Sequence, residues 1–98
     1  MKQYELTIHP NADLVCAGKI IEACCAVEGL RVSLRSSLKR FPGSKHWHFK
    51  LGDNPGTLEI TLWQRRLWCS VRKGRTGPWI DRVQRKVCRS VEAQLTAR

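Results

Sequence analysis

His46 and His48 stand two residues apart, with Trp47 between them, in a stretch that alternates in polarity. On a strand that spacing sends both imidazoles out of one face. Two imidazoles so placed can divide the acid and base roles of phosphodiester cleavage, or offer two ligands to a metal. A metal needs a third ligand, and the only other histidine is His9, on a different segment. No metal or other cofactor is therefore assigned. A second grouping, Lys73-Gly74-Arg75-Thr76-Gly77-Pro78, sets two cations, two glycines and a hydroxyl just ahead of a predicted helix. Free amides and the helix dipole favour an anion there. It is not a Walker motif, since the glycine spacing differs and proline removes an amide donor.

Both groupings fall in the part of the chain that carries its charge. From Arg31 to Arg89 there are 15 Lys and Arg but only Asp53, Glu59 and Asp81, within a chain of net charge +10. All four tryptophans lie there too. Charge of one sign beside aromatics points to a polyanion-facing surface. Arg82, Arg85, Lys86 and Arg89 make a basic side on the last predicted helix, a stripe that is ordinarily solvated.

The 98 residues make one domain, residues 1–98, with 42% hydrophobic and 27% charged residues, as in an ordinary globule. No apolar run is long enough to cross a bilayer, and the N-terminal residues lack the apolar stretch of a signal peptide, which places the chain in the cytoplasm. Cys16, Cys24, Cys25, Cys69 and Cys88 are odd in number and form no CxxC pair, so they are expected to be reduced.

The elements that must position these groups follow from periodicity. Residues 3–9 alternate as a half-buried strand, and Asn11 caps a helix expected over Ala12–Glu28, deeply buried and stopped by Gly29. Alternating runs around Leu30–Arg35, His46–Leu51, Thr57–Trp63 and Leu67–Arg72 predict four more strands. Phe41-Pro42-Gly43-Ser44, Gly52–Gly56 and Gln64-Arg65-Arg66 separate them. Ile80, Val83, Val87, Val91 and Leu95 recur at helical spacing after Pro78. The expected fold is α+β: a two-layer sandwich with an antiparallel five-stranded sheet in the order β-α-β-β-β-β-α and both helices on one face. This order resembles one half of the TATA-box-binding protein and the N-terminal domains of some DNA-repair glycosylases. Without the first strand, the remaining α-β-β-β-α pattern resembles a double-stranded-RNA-binding domain, lacking that family's lysine-alanine signature at the second helix.

With aliphatic residues turned to the helices, the open face collects Arg31, Ser33, Arg35, His46, His48, Lys50, Thr57, Glu59, Thr61, Trp63, Trp68, Ser70 and Arg72. The preferred function is a nucleic-acid-binding module rather than an enzyme. Arg31, Arg35, Lys50, Arg72, Lys73 and Arg75 would meet phosphates, Trp63 and Trp68 would stack on bases, and His46 and His48 would add polar contacts. The alternative is a homodimer, or a protein docked on an acidic partner, that buries the two indoles. A membrane partner is not expected, because the apolar side of the last helix is needed for the core. A third reading is a small metal-independent RNase. The run Gly43-Ser44-Lys45-His46-Trp47-His48-Phe49 resembles the Gly-Ser-His element of HicA-type messenger-RNA-cleaving toxins, with Lys45 inserted. That resemblance implies catalysis by His46, with His48 beside it.

Overall fold

A computed structural model describes residues 2–96. Strand β1 (Lys2–Leu6) leads to helix α1 (Ala17–Val27). Strands β2 (Arg31–Leu38), β3 (Phe41–Lys50), β4 (Leu58–Trp63) and β5 (Arg66–Val71) follow, and helix α2 (Ile80–Thr96) closes the chain. The strands form one antiparallel sheet in the spatial order β1-β5-β4-β3-β2. Each link except β1–β5 joins sequence neighbours, so the sheet is a meander whose first strand returns to pair with the last. The fold class and element order are those expected from the sequence.

The core lies between the sheet and the two helices. Leu6, Trp47, Phe49, Leu58, Ile60, Leu62, Leu67, Cys69 and Val71 face it from the strands. Val83, Val87, Val91 and Leu95, the helical repeat of α2, are all buried against them. Trp47 is sealed in this layer, and its Nε1 donates to Glu22 Oε2 at 2.9 Å. A buried indole N–H needs such an acceptor.

Helix α1 is shorter than its apolar run suggests, beginning at Ala17 rather than Ala12. Asp13 Oδ1 accepts the Val15 N–H at 2.9 Å, a local bond that competes with helix formation. Arg65 donates to the carbonyls of His9 and Ala12 at 3.1 and 3.0 Å and pins this segment in turns. The helix is also one-sided rather than deeply buried: Ala17, Ile21, Cys24 and Cys25 are covered, while Val27 is exposed. Gly29 does end it, at φ 81°.

Strand β2 departs most from simple alternation. It shifts register against β3 between Val32 and Leu34 and again between Ser36 and Leu38. The second shift sets Ser37 against four residues of β3, so the expected Phe41–Ser44 loop is instead a bulge inside that strand. Gly43 takes φ 83° in it, and the buried Ser44 hydroxyl accepts the Leu38 N–H at 2.9 Å. Proline at position 42 suits an irregular strand position, because it cannot donate to a ladder. The actual turn is Lys39-Arg40. The bulge bends the hairpin tip over the sheet face opposite the helices.

Candidate functional site

The open face centres on Glu59. On β4 it lies opposite His48 of β3 and Ser70 of β5, and the adjacent outward row sets Thr61 between His46 and Trp68. Three central strands therefore bring two imidazoles, a carboxylate and two hydroxyls together. Glu59 is only 2% exposed and His46 4%, although both belong to the polar register. His46 Nε2 and His48 Nε2 lie 3.2 and 3.5 Å from Glu59 Oε1, and 3.0 Å from each other. His46 Nδ1 is 2.7 Å from Thr61 Oγ1. Arg72 Nε approaches Glu59 Oε2 to 3.2 Å, but no hydrogen bond reaches that oxygen from the described residues.

Burial pushes both imidazoles below their usual pKa. For His46 the neighbouring His48 adds to it, and for His48 the cations Arg75, Arg72 and Lys50 do. Attraction to Glu59 opposes the shift without overcoming it. Both rings are therefore neutral at neutral pH. In the His46–His48 contact one nitrogen carries the proton and the other accepts it. Acid–base cleavage of a phosphodiester by two histidines needs them on opposite sides of the reacting group. Here the two nitrogens touch, and no phosphoryl group fits between them.

A groove of about 430 Å³ runs over this cluster. It is lined by Lys39, Arg40 and Phe41 of the hairpin tip, by Gln3 of β1, by Arg66 and Trp68 of β5, and by His46, Glu59 and Arg72. Arg66 is held by two hydrogen bonds to Glu5, at 3.0 and 2.9 Å. Arg72 is half exposed, so its guanidinium meets the buried carboxylate on one edge and solvent on the other.

The structure gathers some of the expected site residues and separates others. His46, His48 and Arg72 surround Glu59, the charges of Arg75 and Lys50 act on His48, and Arg31 pairs across from Lys50. Arg35 does not join them. The register shift after Val32 places it opposite Trp47, on the helix side, where it makes two 2.7 Å hydrogen bonds to Glu22 of α1. Trp68 is sealed at 7% exposure rather than open for stacking. Phe41 packs on Trp63 and Trp68 at centroid distances of 4.8 and 5.3 Å, and Trp63 Nε1 donates to the Pro42 carbonyl at 3.0 Å. The indoles thus belong to a second, small aromatic cluster, with Trp68 buried and Trp63 partly exposed, which does not present a pair of free rings. Lys73 is exposed in the loop before α2. In that loop the Ile80 amide is bonded to the Gly77 carbonyl, and Gly77 packs so closely on Pro55 that no side chain fits.

Glu59, Thr61, Lys39, Arg40, Phe41 and Arg66 line the groove, and sequence alone assigned none of them a role. For Glu59 a signal was present. Between Arg31 and Arg89 it is one of three acids among 15 cations, and it shares the polar register with both histidines.

No family model, curated protein or solved structure matches the chain. Among the described residues, no helix is long and apolar enough to cross a membrane.

Proposed function

We propose that this protein binds the phosphate backbone of nucleic acid in the groove over Glu59. The observation that carries the proposal is that Lys39, Arg40, Arg66 and Arg72 line one groove together with the buried polar groups His46, Glu59 and Thr61. Cations gathered along a channel track a polyanion better than the same charges scattered over a surface. Lys50, Arg75 and Arg31 extend the positive field beyond one end of the groove. With Trp68 buried and Trp63 packed on Phe41, affinity comes mainly from phosphate contacts rather than base stacking, and sequence preference is weak. Five free cysteines suit a reducing compartment such as the cytoplasm.

Fluorescence anisotropy with labelled RNA, single-stranded DNA and duplex DNA at graded salt tests this. If the four groove cations each neutralise a phosphate, log K against log salt falls with a slope of about −3 to −4. Replacing Lys39 and Arg40 together by alanine makes the slope shallower by about one or two. Absence of affinity for all three polymers at low salt, or a slope unchanged in the double variant, overturns the proposal.

A further inference from the structure

The three donor atoms at the centre of the site form a nearly regular triangle. His46 Nε2, His48 Nε2 and Glu59 Oε1 are separated by 3.0, 3.2 and 3.5 Å. An ion about 2.0–2.2 Å from each of three donors holds them roughly 3.0–3.5 Å apart, for ligand angles between a right angle and tetrahedral. We propose that these three side chains bind one divalent first-row transition-metal ion, with Zn²⁺ as the leading candidate.

Four further features favour a metal over a purely structural hydrogen-bond cluster. The donor set, two imidazoles and one carboxylate, suits such an ion rather than Mg²⁺ or Ca²⁺, which take oxygen ligands. Ligation needs both Nε2 atoms bare, and Thr61 Oγ1, 2.7 Å from His46 Nδ1, can hold the proton on the far nitrogen of that ring. Arg72 stands beside the carboxylate oxygen that does not point at the imidazoles, where it orients Glu59. Finally, the carboxylate is 2% exposed, and apart from the two imidazoles its one ion-pair partner among the described residues is Arg72, at 3.2 Å from Oε2. Coordination at Oε1 compensates the charge of this carboxylate more fully than Arg72 does alone.

Three protein ligands leave a coordination position vacant, as in zinc sites that hold a water or substrate. His46 and Glu59 both line the groove, so that position opens onto it beside Arg72. The surrounding cations Arg72, Arg75 and Lys50 lower affinity for the metal but favour an anionic oxygen as the remaining ligand.

The test uses the full chain without nucleic acid, so its failure and that of the phosphate-binding proposal are separable. Chelator-treated protein is titrated with Co²⁺ and followed by visible absorption, then displaced by Zn²⁺ and assayed by equilibrium dialysis. One ion per chain is expected, with a visible ligand-field spectrum, no near-ultraviolet thiolate band, and a higher melting midpoint with Zn²⁺. Glu59→Gln and His48→Gln should each weaken binding on the order of tenfold or more. His48 is the more exposed of the two histidines, so its variant serves where Glu59→Gln fails to fold. No stoichiometric binding, a thiolate band that places the ion on cysteines, or equal affinity in a folded variant overturns the proposal.

Discussion

Arg66 lies over the face of Trp68, its guanidinium carbon 5.2 Å from the ring. The ring that the sequence offered to a base is stacked instead by an arginine of the same strand. That contact seals one side of the indole while Phe41 meets it edge-on.

Trp68 therefore supports the fold as a core residue does. Trp68→Ala should cost about 3–5 kcal/mol, the range for a buried large aromatic. Urea unfolding measures it. A cost near zero would mean that the ring contributes nothing to the monomer.

Phe41→Ala should free the hairpin tip from the two indoles. Loss of two aromatic contacts costs about 1–3 kcal/mol. The local readout is iodide quenching of tryptophan fluorescence, which should rise as Trp63 and Trp68 become accessible. Quenching equal to wild type would show that the Ser44 and Trp63 hydrogen bonds hold the tip in place without the Phe41 ring.

Arg35 and Arg72 should behave oppositely, although both occur in alternating basic strands. Arg72→Ala weakens nucleic-acid binding in the anisotropy assay, because Arg72 lines the groove. Arg35→Ala leaves binding unchanged and destabilises the fold only slightly, as for a largely exposed ion pair. Equal losses of affinity in the two variants would contradict the observed placement.

Acid should expose the partner of Arg35. Hydrogen bonds from Arg35, and then from Trp47, hold the Glu22 carboxyl below the usual glutamate value of 4.5, against the opposing effect of burial. A depressed carboxylate stabilises the folded chain above the unfolded pKa. That contribution is lost as pH falls through 4.5 toward the folded value, because the unfolded chain takes up its proton first. The urea midpoint of Glu22→Gln should accordingly vary less over this range than that of wild type.

Thiol reactivity should separate one cysteine from four. Cys16 is exposed, whereas Cys24, Cys25, Cys69 and Cys88 are buried. Burial raises the Cys24 and Cys25 thiols, and the Cys88 contact followed by burial raises Cys69. An aromatic disulfide reagent should titrate one thiol promptly in the native chain and the others only in denaturant. Two or more prompt thiols would mean that the α1–α2 packing opens readily.

The strand periodicity of this chain was legible because its residues alternate over a rigid period of two. Leu58, Ile60 and Leu62 mark the core side of β4 as surely in the sequence as in the structure. The last helix was legible for the same reason, at its own period. The outward face of β3 and β4 follows, and it groups His46, His48, Glu59 and Thr61 from the alternation alone. What Glu59 does there was not legible, since register between strands is set by pairing and not by either strand alone.

The sequence by itself determined the element order, the charged face and the apolar layer, all of which depend on local periodicity and composition. Only the tertiary structure decided that Arg35 crosses to the helix side, that Phe41 closes over the indoles, and that three donors converge within 3.5 Å. Two register shifts in β2 account for the first two of these. The second arises where Pro42, Gly43 and the Ser44 hydroxyl fit the backbone of the neighbouring strand, and both are relations between segments that no single stretch of sequence contains.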